Sequence, residues 1–148
     1  MTAKYERTTN IDSVVIYDSK CPYCSAVTKW LKRTRDLGAL SWHENTAQNF
    51  LKAQFNYSPF AMFLVVPSES KIYAGPDAAR ELCERARLPE LFGRLVEHEY
   101  HKISKTASLL SNRKQPLDKI EGEFPLNANS LSLLDDLFYE AWTLPFEE

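Results

Sequence analysis

Apolar and polar residues change period several times along this 148-residue chain, and each change marks an element. Ser13 to Tyr17 reads Ser-Val-Val-Ile-Tyr, a β-branched and nearly continuous apolar run that predicts a buried strand. From Ser25 to Leu37 the period becomes helical. Val27, Trp30, Leu31 and Thr34 share one face, Lys29, Lys32, Arg33 and Arg35 fall elsewhere, and Gly38 closes the helix. Leu40 to His43 predicts a second short strand. Thr46 is placed to cap a helix whose inner face is Ala47, Phe50, Leu51 and Gln54. The order strand, helix, strand, helix implies a parallel pair joined by a right-handed crossover.

The pattern then turns antiparallel. Ala61 to Val66 is a second buried run, and Lys71 to Ala74 is its partner across the loop Pro67 to Ser70. Gly75-Pro76-Asp77 opens a helix, because proline suits the first helical position and an acid suits its positive end. The apolar face is Ala79, Leu82, Cys83 and Ala86, and the helix stops before Pro89. Glu90 to Leu110 predicts a long helix touching the core at scattered points. Asn112 to Ala128 carries three charged residues of each sign, two prolines and little periodicity, and reads as a loop. Leu131, Leu134, Leu137, Phe138 and Trp142 form an apolar stripe on a short terminal helix, with Ser130 as its cap. The expected architecture is α/β: a core over residues 12–88 built on four strands, and a helical extension over 89–148. That extension either packs on the core or binds a protein partner.

Composition narrows the function classes. A net charge of −2 gives no basic field for nucleic acid. The longest wholly apolar stretch, Phe60 to Pro67, is eight residues, against roughly 20 needed to span a bilayer, so no membrane insertion is expected. The N-terminal residues carry no apolar signal region, and a cytoplasmic location is the expectation. Four glycines in 148 residues disfavour a turn-rich all-β fold. Three cysteines are too few for a disulfide scaffold.

Two of those cysteines carry the chemistry. Cys21-Pro22-Tyr23-Cys24 lies between a predicted strand and a predicted helix. A thiol at a helix N-terminus meets unpaired N–H groups and the positive dipole end, which favour the nucleophilic thiolate. Cys24 lies about one turn further on, so its sulfur can reach Cys21 and resolve a mixed disulfide. Asp18, three residues ahead of Cys21, either holds the loop as an Asx-type turn or accepts a thiol proton. An ionised Asp18 would raise a nearby thiol pKa, and Lys20 would act in the other direction. A zinc site would need two further ligands, for which Cys83 and His43 are the candidates. Iron–sulfur binding by pairs shared between two chains is a further metal reading. Cys83, on an apolar helix face, reads as core. His98 and His101 read as a solvated face, and Trp30 as packing. No phosphate loop, dinucleotide fingerprint or serine-hydrolase elbow is present.

These residues carry a resemblance. The element order around the Cys-x-x-Cys resembles the thioredoxin fold, and Pro22-Tyr23 is the dipeptide of dithiol glutaredoxins. Tyr17-Asp18-x-x-Cys21-x-x-Cys24, Gly75-x-Asp77-Ala78 and Asn112-Arg113 resemble the DCC family of thiol-disulfide oxidoreductases over residues 12–113. Ser19 stands where that family usually has glycine. The resemblance implies a thioredoxin-like fold with a four-stranded mixed sheet flanked by helices. It implies Cys21 as the attacking thiol, Cys24 as the resolving thiol and Asp18 as the third catalytic group. It also implies that Pro59 is a cis-proline exposing the backbone of Ser58 to an extended substrate. Lys20, Tyr23 and Asp77 complete the substrate-binding set by analogy. The implied substrates are a protein disulfide or a glutathione mixed disulfide, with glutathione as a candidate co-substrate and no resident cofactor or metal. The readings from other classes are a non-catalytic binding module that uses the helical tail, and metal binding through the cysteine pair.

Overall fold

The computed structural model describes residues 11–20, 37–85 and 118–143. Cys21, Tyr23 and Cys24, the helix expected after them, the helix over 90–110 with His98 and His101, and Asn112-Arg113 lie outside the described residues. The side chain of Trp142 also lies outside them.

Five strands form one mixed sheet in the order β2-β1-β3-β4-β5. These are β1 (Ser13–Tyr17), β2 (Leu37–Ser41), β3 (Phe63–Val66), β4 (Lys71–Ala74) and β5 (Gly122–Pro125). The β1–β2 pair is parallel, with Tyr17 opposite Ser41, and the other three pairs are antiparallel. The α-helices among the described residues are α1 (Asn45–Phe55), α2 (Pro76–Arg85), α3 (Ala128–Leu131) and α4 (Leu134–Thr143). The mixed sheet flanked by helices is that of a thioredoxin-like fold, with the C-terminal helices added.

The period of two in each strand divides the core into two layers. Val14 and Ile16 of β1 join Phe63 and Val65 of β3 on one face, beneath Phe50 and Leu51 of α1 and Leu137, Phe138 and Ala141 of α4. Val15, Tyr17, Leu64, Val66 and Tyr73 occupy the other face with Ala78 and Leu82 of α2. Cover on both faces is why β1 is apolar at nearly every position and shows no alternation.

Several expectations are corrected. The sheet has five strands, because part of the segment 112–128 that reads as a loop forms β5. Its Gly-Glu-Phe-Pro sequence exposes Glu123 and Pro125 at the sheet edge, so its pattern is too short and too polar to stand out. Gly38 does not close a helix; it lies inside β2, which spans Leu37–Ser41 instead of Leu40 to His43. A Cβ at Gly38 would lie 2.7 Å from Cδ1 of Ile11 and 3.1 Å from Cβ of Ala141, so the glycine admits α4 onto the sheet. The third strand starts at Phe63, two residues later than expected. Thr46 is not the cap of α1: Glu44 holds that position without a side-chain bond, and the Thr46 hydroxyl donates to Glu140 of α4. Gln54 is only half-buried and reaches across to the end of β5, donating to the Pro125 carbonyl. The terminal stripe belongs to two helices. Asn127, and not Ser130, caps α3 by accepting from the Ser130 backbone N–H, while Ser130 is buried. Leu131 falls off the stripe and is 45% exposed. Leu137, Phe138 and Ala141 are wholly buried in the core, so this part of the stripe packs inward.

Candidate active site

Sheet direction gathers the site. Both β1 and β4 run antiparallel to β3, so β1, β2 and β4 all finish at the same end of the sheet, where β3 begins. That end collects the residues just after β1 and β2, the Ser58–Ala61 approach to β3, the β4–α2 turn and the segment leading into β5. The C-terminal ends of parallel strands are where α/β sheets present functional groups. The chain reaches Cys21 four residues after Tyr17, from this same end.

Asp18 is the first residue beyond β1 and is buried, at 4% exposure. A buried carboxylate needs hydrogen-bond donors. Two described donors meet the same oxygen, Oδ1: the Lys20 backbone N–H at 3.0 Å and Nε2 of His43 at 2.9 Å. The first is the Asx-type turn expected from the sequence. The second comes from just beyond the neighbouring strand, because the parallel register sets Tyr17 against Ser41 and the chain turns there through Trp42 to His43. With the carboxylate as acceptor, Nε2–H donates. The His43 side chain is 31% exposed, so it joins a buried acid to the surface.

Ser41 braces this corner. Its hydroxyl lies 2.7 Å from that of Ser19 and accepts from the His43 backbone N–H at 3.1 Å. Ser19 therefore contributes a side-chain contact that glycine could not make. Trp42 fixes the next layer. Its backbone N–H donates to the Tyr17 carbonyl at 2.7 Å, and its indole Nε1–H donates to the Pro59 carbonyl at 2.7 Å. The ring of Trp42 packs on His43 edge-on at 5.2 Å between centroids and on Phe60 at 4.7 Å.

The proline loop is held from its other side as well. The Phe60 backbone N–H donates to the Asp118 carboxylate at 2.7 Å, and the Asp118 N–H returns a bond to the Phe60 carbonyl at 2.7 Å. The segment before β5 thus clips the loop that enters β3. Gly75 allows this approach: its φ is +60°, and a Cβ there would collide with the Ile120 carbonyl oxygen.

The structure brings Asp18, Lys20 and Pro59 into one corner around His43 and Trp42. The expected cis bond is absent: the Ser58–Pro59 peptide is trans, the form ordinarily preferred by about 0.5–1 kcal/mol. Pro59 instead offers its own carbonyl to Trp42, and the Ser58 hydroxyl is buried without a hydrogen-bond partner among the described residues. Asp77 stands in the first turn of α2, at the same end of the sheet but two strands from β1, with Arg80 Nη2 3.9 Å from its Oδ1. Lys20 is exposed. Cys83 is buried on α2, and burial pushes its thiol up to about 11. Among the described residues no three His, Cys, Asp or Glu side chains come together to hold a metal ion. No described helix is long and apolar enough to cross a membrane.

Sequence reasoning missed His43, Ser41, Trp42 and Asp118 as parts of this corner. The signal available was positional: a polar residue immediately past each of two parallel strands meets its neighbour across the sheet end.

A search of curated proteins and a search of solved structures returned no match. A family model described as DCC1-like thiol-disulfide oxidoreductase matches residues 15–103. That span runs from inside β1 through both cysteines, the His43 corner and α2, and by it the chain belongs to the DCC1-like thiol-disulfide oxidoreductase family.

Proposed function

We propose that the protein exchanges thiols and disulfides through a Cys21–Cys24 couple. The observation that carries this reading is the buried Asp18, held by two donors three residues ahead of Cys21. Family membership supports the general chemistry. In the reducing direction, the Cys21 thiolate attacks one sulfur of a substrate disulfide. A Cys21–substrate disulfide forms and the other substrate sulfur leaves as a thiolate. Cys24, having lost its proton to Asp18, attacks Cys21 Sγ; the Cys21–Cys24 disulfide forms and the second substrate thiolate leaves. Two electrons pass from the dithiol to the substrate, and a thiol reductant such as glutathione restores the couple. The same steps run backwards oxidise a substrate dithiol. The substrate class is a protein disulfide or a glutathione mixed disulfide, laid against Ser58 and Pro59, with Lys20, Tyr23 and Asp77 around the pair.

The test is trapping. Cys24→Ser removes the resolving thiol and should accumulate mixed disulfides that map to Cys21 by mass spectrometry, while Cys21→Ser should accumulate none at Cys24. Equal labelling of Cys21 and Cys83 with no adducts overturns the reading.

A further inference from the structure

Asp18 has an unusual supply problem. Its carboxyl group is buried, yet it is asked to take up and give back a proton in each turnover of the proposed exchange. One of its two described donors, the Lys20 N–H, is fixed by the turn. The other is a side chain from the turn after β2, 25 residues away in sequence, and it leads outward. His43 is itself held on several sides. Its backbone N–H is tied to Ser41 Oγ, and its ring lies against Trp42 edge-on and against Phe60 at 6.0 Å. A surface histidine with no task would not need such fixing.

We infer that His43 is a positioning residue for the exchange reaction, aiming the Asp18 carboxylate by donating Nε2–H to Oδ1. The inference rests on the thiol–disulfide reading above and adds to it a residue outside the Cys-x-x-Cys segment. The physical content is directional. The Lys20 N–H meets Oδ1 from the turn that follows Asp18 itself. The His43 donor, arriving from the turn after β2, restrains the same oxygen from a second direction, and Trp42 and Phe60 hold the donor. The same two rings connect this arrangement to the Pro59 loop through the indole bond to the Pro59 carbonyl. The carboxylate and the loop proposed to hold substrate are thus referenced to one residue pair, Trp42 and His43.

The experiment compares reduced wild type with His43→Ala, His43→Gln, Asp18→Asn and the Asp18→Asn/His43→Ala double variant. The probe is bis(2-hydroxyethyl) disulfide, the readout is the rate at which Cys24 resolves the mixed disulfide formed at Cys21, and folding is checked by thermal unfolding. Glutamine can place an N–H close to where Nε2 lies, so it keeps the donor without the ring. His43→Ala should slow exchange about tenfold, the effect of one charge-assisted hydrogen bond. His43→Gln should recover to within about twofold of wild type, and the double variant should be no slower than Asp18→Asn, since residues acting as a unit are not additive. A merely structural histidine would give a lower unfolding temperature without rescue by glutamine. His43→Ala at the wild-type rate, glutamine as slow as alanine, or additive losses in the double variant each overturn the proposal. A wild-type chain inert towards the disulfide overturns the functional reading, and this inference with it, and that result is distinct from the other three.

Discussion

Both ends of the sheet carry an acid held by donors, and the two are built differently. At the end where β1 finishes, Asp18 is buried and is held by a backbone N–H and an imidazole. At the opposite end, Glu69 in the β3–β4 turn is exposed and takes the Tyr73 hydroxyl on Oε1 and Arg85 Nη2 on Oε2, each at 2.7 Å. Arg85 also approaches Glu81 at 3.5 Å, so long charged side chains tie the turn to the last turn of α2. Those contacts move protons in consistent directions. The Tyr73 bond, then the Arg85 bond, hold the Glu69 carboxyl below its ordinary range, and burial raises the Tyr73 hydroxyl. Flexible side chains in an exposed network suit stabilisation. A short acid held by backbone and a ring, three residues ahead of a cysteine pair in the sequence, suits chemistry.

The largest expected effect separates the two ends. Asp18→Asn should slow thiol exchange by about a hundredfold, the lower range for losing a proton acceptor, while Glu69→Gln should leave the rate within about twofold. Equal rates for Asp18→Asn and wild type would remove the functional half of the comparison. Arg85→Met should reverse the pattern. It should cost about 1 kcal/mol in urea unfolding, at the upper end for a partly exposed ion pair, and leave exchange unchanged; an unaltered midpoint would show the Glu69 network to be ornamental.

The third thiol gives a pH signature. Its folded value, about 11, lies above the ordinary value of 9.0. Below pH 9 the thiol is protonated in both states and the stability is fully present. Between pH 9 and pH 11 the unfolded chain loses the proton first, so stability falls. Cys83→Ala should show a shallower alkaline decline in thermal unfolding, and an identical decline would place the titration elsewhere. The smallest effect concerns Glu69. Its lowered value means that its contribution is present above its ordinary value of 4.5 and is lost as pH falls through the folded value. Glu69→Gln should therefore lose less stability than wild type on acidification, and a parallel acid decline would contradict this.

Local signals carried much of this molecule into view. Ser13–Tyr17 and Lys71–Ala74 form strands at the expected bounds, and α2 begins at Pro76 where proline and Asp77 predict. Cys83 is core because its neighbours on the helix face are core. What stayed hidden depends on distant partners. Gly38 looks like a helix stop until Ile11 and Ala141 are seen to press on it. β5 exists because β4 offers it an edge, with Ala74 opposite Gly122 and Ile72 opposite Phe124. At the site, the Asp18 turn was legible because it is local, while the His43 bond spans two strands and the Asp118 clip spans 58 residues. The trans bond at Pro59 was misread because a family habit, and no local chemistry, suggested otherwise.

The central claim is that Cys21 and Cys24 form one two-electron couple. Equilibration of the purified chain in glutathione buffers of stepped potential, followed by acid quench and mass mapping, measures this directly. The account predicts an intramolecular Cys21–Cys24 disulfide that titrates as a single couple, tenfold in ratio per roughly 30 mV, between about −270 and −120 mV, with Cys83 reduced throughout. Independent glutathionylation of the two thiols, with no disulfide between them, would contradict it.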